Sequence, residues 1–153
     1  MGWEIERKFL VRGDDWRAGA RGELCRQGYL SSAPERVVRV RIMGVRANLT
    51  IKGLAVGLTR PEFEYAIPPR EAEELLKLCE QPLIEKTRYR VSHAGLVWEV
   101  DEFHGANAGL VLAECELEAE EQAIIAPDWV GEDVSGDSRY FNANLVNHPF
   151  SAW

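Results

Sequence analysis

The side chains able to do chemistry in this sequence recur at a spacing of two. In the opening run, Glu4, Glu6 and Lys8 share one strand face, while Trp3, Ile5, Arg7 and Phe9 take the other. The same alternation sets Arg39 and Arg41 against Val38, Val40 and Ile42. It sets Thr50 and Lys52 against Leu49 and Ile51, and Glu62 and Glu64 against Phe63 and Tyr65. Further on, Lys86, Arg88 and Arg90 share a face, Glu99 and Asp101 oppose Trp98 and Val100, and Glu114, Glu116 and Glu118 oppose Cys115 and Leu117. A solvated sheet face accounts for any one of these strands. Ordinary wet faces, however, mix uncharged polar residues with both signs of charge, whereas here, beyond the opening run, acids and bases are segregated strand by strand. Enclosed, such faces need compensating ions. Basic strands can hold a polyanion, and acidic strands can hold hard divalent cations, which prefer oxygen ligands. Together they describe a phosphoryl-transfer site built without a P-loop. The chain contains neither G-x-x-x-x-G-K-[ST] nor G-x-G-x-x-G.

The elements that must position these residues are mainly strands. The pattern predicts Glu4–Val11, Leu24–Leu30, Val37–Met43, Ala47–Ile51, Glu62–Ile67, Ile84–Val91, Leu96–Phe103 and Leu110–Leu117, joined in several places by short glycine-bearing turns. Eight strands suit a closed antiparallel barrel. The fold class is therefore mainly β (α+β), a barrel with a few peripheral helices. Arg70–Glu80 carries Ala72, Leu75, Leu76 and Cys79 as one apolar stripe between Pro68-Pro69 and Pro82, and reads as a helix. Glu118–Ile125 is expected to be a second helix, ended by Pro127. A third is expected to begin near Arg139-Tyr140, capped by Asp137 or Ser138. One helix cannot cover every apolar strand face. The charges are therefore expected to line a wet tunnel, with the apolar faces turned outward to helices and to a partner subunit in a homodimer.

The 153 residues suit a single domain, 1–153, with a real core. No apolar run approaches the roughly 20 residues that cross a bilayer, and the charged N-terminus is not a signal peptide. Cys25, Cys79 and Cys115 fit neither a disulfide framework nor a zinc site and read as buried thiols, consistent with the cytoplasm. A net charge of −7 argues against nucleic acid or an anionic membrane as partner, but a local cationic cluster can still bind a small anion.

The ordered motifs resemble the CYTH superfamily, the triphosphate tunnel metalloenzymes, across essentially the whole chain. They are Glu4-Ile5-Glu6-Arg7-Lys8, Arg39-Val40-Arg41, Thr50-Ile51-Lys52, Glu62-Phe63-Glu64, Glu85-Lys86-Thr87-Arg88-Tyr89, Glu99-Val100-Asp101-Glu102-Phe103, Glu114-Cys115-Glu116-Leu117-Glu118 and Arg139-Tyr140-x-Asn142. The chain looks most like the short bacterial members, which act as tripolyphosphatases. The resemblance implies that Lys8, Arg39, Arg41, Lys52, Lys86 and Arg88 bind the phosphates of a linear triphosphate. It implies that Glu4, Glu6, Glu64, Glu114 and Glu116 hold Mg²⁺ or Mn²⁺, and that Glu62, Asp101 and Glu118 act through water or orient bases. The expected catalytic set is Glu4, Glu6, Lys8, Lys86 and Glu116. In the family one cation grips the triphosphate and a second activates water. Residues 138–147 are expected to plug one tunnel mouth, although Ser138 stands where short members often carry Lys. Arg90 extends the basic face to the mouth or beyond it.

Several groups are set aside. His93, His104 and His148 lack ligand spacing, Cys115 alternates away from the acidic face, and the tryptophans read as core or lid. The leading expectation is metal-dependent cleavage of inorganic triphosphate to pyrophosphate and phosphate. The alternatives are an adenylate cyclase, a triphosphatase acting on thiamine triphosphate or a nucleoside triphosphate, and a module that binds polyphosphate or nucleotide without turnover.

Overall fold

Each charged segment can bury one face against covering elements only by turning the other into an enclosed bore, and the strands close accordingly. In the computed structural model, which describes residues 2–153, β1 (Gly2–Val11), β2 (Gly22–Ser31), β3 (Arg36–Met43), β4 (Arg46–Gly53) and β5 (Thr59–Ala66) precede α1 (Pro69–Leu78). Then come β6 (Ile84–His93), β7 (Leu96–Phe103), β8 (Val111–Glu116), β9 (Val130–Asp133) and α2 (Asn142–Asn147). The strands run β5-β4-β3-β2-β6-β7-β8-β1, and β1 pairs again with β5 to close the barrel. The expected eight-stranded antiparallel barrel is therefore present.

Four details depart from expectation. β5 starts at Thr59 rather than Glu62. Pro61 breaks the donor pattern that marks a strand, yet Thr59 and Arg60 pair with Ile5 and Glu4 and make the closure. β9 was not foreseen. It is four residues long, contains Gly131 and Asp133, and pairs beside Phe9 and Val11 of β1. Residues 118–125 form a turn rather than a helix. Ile124 and Ile125 are adjacent and make no helical stripe, and the Glu118 N–H donates to Gln122 Oε1 at 2.7 Å. At the C-terminus Asp137 accepts from the Arg139 N–H, but it caps a 3-10 turn, Ser138–Tyr140. α2 starts only at Asn142.

The outward apolar faces are covered in two places. α1 lays Ala72, Leu75, Leu76 and Cys79 on Val40, Ile42, Ala47 and Leu49. Gly28 permits that approach, since a Cβ there would lie 2.7 Å from the Cys79 Cβ. Trp16, Leu117, Ile124 and Trp129 cover Phe9, Trp98, Val100, Ala113 and Cys115. Outside β1, β4 and β5, Trp3, Ile51, Phe63 and Tyr65 stay exposed, with Trp3 71% accessible, so Trp3 is neither core nor lid. A third apolar cluster lies inside the barrel at one end. There Leu10, Tyr29, Val37, Ile84, Phe103 and Leu112 pack with Val134, Tyr140, Leu145 and Val146. α2 thus fills one side of that end. Ser138, Phe141 and Asn144 line the cavity beside it, so the plug is partial.

Candidate active site

Strand order, together with the alternation, sorts the charges around the bore. β7, β8, β1 and β5 send in Glu99, Asp101, Glu114, Glu116, Glu4, Glu6, Glu62 and Glu64. β4, β3 and β6 send in Lys52, Arg39, Arg41, Lys86 and Arg88. β2 lies between the two basic strands β3 and β6 and presents Cys25, Gln27 and Tyr29 instead. A cation there would repel both neighbours, and a carboxylate would quench them. The two walls enclose a cavity of about 580 Å³. Every residue of the expected phosphate and metal sets lines it, as do Glu62, Glu99 and Arg90. Asp101 lies behind the surface with no exposure, and Glu118 is exposed in the turn after β8, away from the lining.

On the acidic wall, carboxylate oxygens of Glu4, Glu6 and Glu116 lie within 4.8 Å of one another. Glu6 and Glu116 are partners across β1 and β8. Burial, then Glu114, pushes the Glu6 carboxyl well above the usual range. Burial, Glu4 and Glu99 raise Glu116, and burial with Glu4 raises Glu62 to about 7. Burial also acts on Glu4 and Glu114, but cations outweigh it and hold both low. Lys52 does so for Glu4, and Lys8 and Arg88, with a hydrogen bond from Glu6, do so for Glu114. Three converging carboxylates, with the Glu4 charge raising both Glu6 and Glu116, are a donor set that fits a hard divalent cation.

On the basic wall, some cations are closely paired with carboxylates and others are incompletely neutralised. Arg88 forms a fork with Asp101 through Nε at 2.8 Å and a terminal nitrogen at 2.9 Å. Lys86 Nζ also reaches Asp101, at 2.8 Å. Asp101 thus contacts both bases at once. Lys52 Nζ donates to both oxygens of Glu4, at 3.0 and 3.1 Å, and lies 3.4 Å from Glu62. Arg39 donates to Thr50 Oγ1 at 3.2 Å, and its buried Nε has no partner among the described residues. Arg41 Nε donates to Gln27 Oε1 at 2.9 Å, and Lys8 Nζ donates to the Tyr140 carbonyl at 3.1 Å. A buried donor without an acceptor is costly, and an anion in the bore would satisfy it. The arrangement can therefore hold an anion against β3 and β6 and a cation against β1 and β8, in contact with each other.

Sequence reasoning missed Gln27, Tyr29 and Arg60 as cavity neighbours, and it quoted Asn142 within a motif without a role. The Asn142 Oδ1 accepts from Lys86 Nζ at 2.9 Å and from Gln27 Nε2 at 3.3 Å. A signal existed for Gln27, because it alternates with Cys25 and Tyr29 on a strand flanked by basic ones.

Residues 3–149 match the family model of the CYTH domain. The chain is similar to an inorganic triphosphatase of Acetivibrio thermocellus, with 50% identity over 151 residues, 98% of this chain and 97% of that protein. An inorganic triphosphatase of Nitrosomonas europaea is 39% identical over 151 residues, 94% of this chain and 96% of that protein. Among solved structures, a crystal structure of an inorganic triphosphatase aligns with a TM-score of 0.65 and 36% identity, over 94% of this chain and 93% of that one.

Proposed function

This chain belongs to the CYTH family, and on that premise we propose that it hydrolyses inorganic triphosphate to pyrophosphate and phosphate, with the help of a divalent cation, inside the tunnel of a single domain. The observation that carries the reading is the three-carboxylate cluster facing a wall of incompletely neutralised cations across one enclosed bore. Relatives of nearly the same length that bear the name inorganic triphosphatase support it.

In this reading Arg39, Arg41, Lys8, Lys86 and Arg88 bind phosphate oxygens, the guanidinium groups by paired contacts and the ammonium groups as point charges. They also stabilise charge that grows on the equatorial and leaving oxygens. Glu4, Glu6 and Glu116 hold Mg²⁺ or Mn²⁺, with Glu64 and Glu114 alongside. When bound, the cation supplies Lewis acidity and an activated water. Asp101 keeps Lys86 and Arg88 aimed, and Glu62 turns Lys52.

The test is phosphate release from triphosphate, ATP and pyrophosphate side by side, with Mg²⁺, Mn²⁺ or EDTA. Release from triphosphate is expected to exceed the other two by at least about tenfold and to vanish with EDTA. Turnover of ATP in place of triphosphate would sink the inorganic reading, and silence on all three would leave a binding module.

The proposal extends to a homodimer formed through the exposed Trp3, Ile51, Phe63 and Tyr65. Light scattering is expected to give twice the chain mass, and Trp3→Asp to return it to one. A wild-type monomer at tens of micromolar would remove the dimer. No described helix is long and apolar enough to cross a membrane. The three buried free thiols fit a reducing compartment, and the proposal includes the cytoplasm and a free small-molecule substrate rather than nucleic acid.

A further inference from the structure

Lys86 is 1% exposed, and its ammonium carries three donors. Its nitrogen is ion-paired with Asp101 Oδ2 at 2.8 Å, and it donates to Asn142 Oδ1 at 2.9 Å. Donor capacity is left over for the cavity that Lys86 lines. Asn142 is the first residue of α2, far from the barrel strands in sequence. Its Oδ1 also accepts from Gln27 Nε2, whose own Oε1 accepts from Arg41 Nε at 2.9 Å. Two neutral amides thus tie a tunnel ammonium to a tunnel guanidinium.

We infer that Asn142 is a positioning residue for Lys86, brought into the barrel by the C-terminal segment so that one ammonium proton points at the bound anion. Its chemistry suits the task. A second carboxylate would neutralise the ammonium, whereas an amide oxygen directs it and leaves its charge for the anion. α2 does not depend on Asn142 for docking. Leu145 and Val146 are buried in the apolar cluster, and Asn144 Nδ2 donates to the Ser138 carbonyl at 2.9 Å.

The inference rests on the proposed hydrolysis, so the experiment reads the two separately. In metal-free protein carrying ¹⁵N-lysine, with Lys86 assigned through Lys86→Arg, the Lys86 ammonium protons are expected to exchange slowly. Asn142→Ala speeds their exchange and Asn142→Asp, which keeps the acceptor, restores it. With Mg²⁺ and triphosphate, Asn142→Ala is expected to lower kcat by about 10- to 100-fold, with a melting temperature close to wild type, and Asn142→Asp, whose carboxylate neutralises the ammonium, is expected to keep slow exchange without recovering kcat. Unchanged exchange in Asn142→Ala overturns the inference. So does altered exchange with unchanged kcat, or a loss of kcat that follows a loss of melting temperature in both variants. If wild type is inactive on triphosphate, the proposed hydrolysis fails, and the exchange measurement alone still decides whether Asn142 fixes Lys86.

Discussion

Replacing Glu6 with Gln is expected to cut triphosphate turnover by at least about a hundredfold and to raise the melting temperature of the metal-free protein. The two effects share one cause. Glu6, Glu4 and Glu116 converge within 4.8 Å, and burial with the Glu114 charge holds the Glu6 carboxyl well above its ordinary range. A carboxyl raised in the folded state contributes stability that is full below its unfolded value, near 4.3. That contribution is lost as pH rises through the folded value. Glu62, at about 7, behaves in the same way. Metal-free wild type should therefore lose melting temperature between about pH 4.5 and 7, and Mg²⁺ should restore it by binding only the folded form. The Glu6→Gln variant should melt higher than wild type at pH 7, lose part of that slope, and gain little from Mg²⁺. Each kcal/mol recovered moves the transition by about 2–4 °C in a chain of this size. Differential scanning fluorimetry across pH, with and without Mg²⁺, checks this. A variant that melts lower than wild type and still responds fully to Mg²⁺ would remove Glu6 from the metal set.

Asp101→Asn is expected to have the largest effect on stability. Asp101 has no exposure and holds both Lys86 and Arg88. Removing its charge leaves buried Lys86 without a carboxylate partner among the described residues and Arg88 with only the longer contacts to Glu99 at 3.3 Å and Glu114 at 3.6 Å, a loss of about 3–5 kcal/mol and so roughly 6–20 °C in melting temperature. Burial alone would raise the Asp101 carboxyl, but Arg88 and Lys86 outweigh it and hold it low. A lowered carboxyl contributes stability above its unfolded value, near 3.9, which is lost as pH falls through the folded value. The difference between wild type and Asp101→Asn should accordingly be full at pH 7 and close below about pH 3.9. Urea titrations at several pH values measure it. A difference independent of pH would mean that Asp101 acts by packing rather than by charge.

Period-two alternation carried most of the fold and most of the site. A residue facing a closed bore must face it with its neighbours two positions away, so Arg39 with Arg41 and Glu4 with Glu6 could be paired without coordinates. Legibility failed where alternation is absent. β9 is held by β1 and by little of its own propensity. The turn at 118–125 is decided by one side-chain acceptor, Gln122. Gln27 and Asn142 are uncharged, and an uncharged amide on a strand or a short helix looks like ordinary surface. Their meaning depends on β2 lying between β3 and β6, and on α2 packing into the barrel end, which are matters of topology rather than local pattern.

The contact between Lys52 and Glu4 has a thermodynamic consequence for loading. Within the barrel, Lys52 sits on the carboxyl groups of Glu4 and Glu62 as an internal counter-ion. On the proposed reading, a divalent ion held by Glu4 would loosen Lys52, which would then suit an incoming anion, and an anion that drew Lys52 away would leave Glu4 ready for the cation. Each occupant does part of the other's work. The factor by which one tightens the other must be the same in both directions. Occupancy of each site would then rise with the concentration of the other occupant.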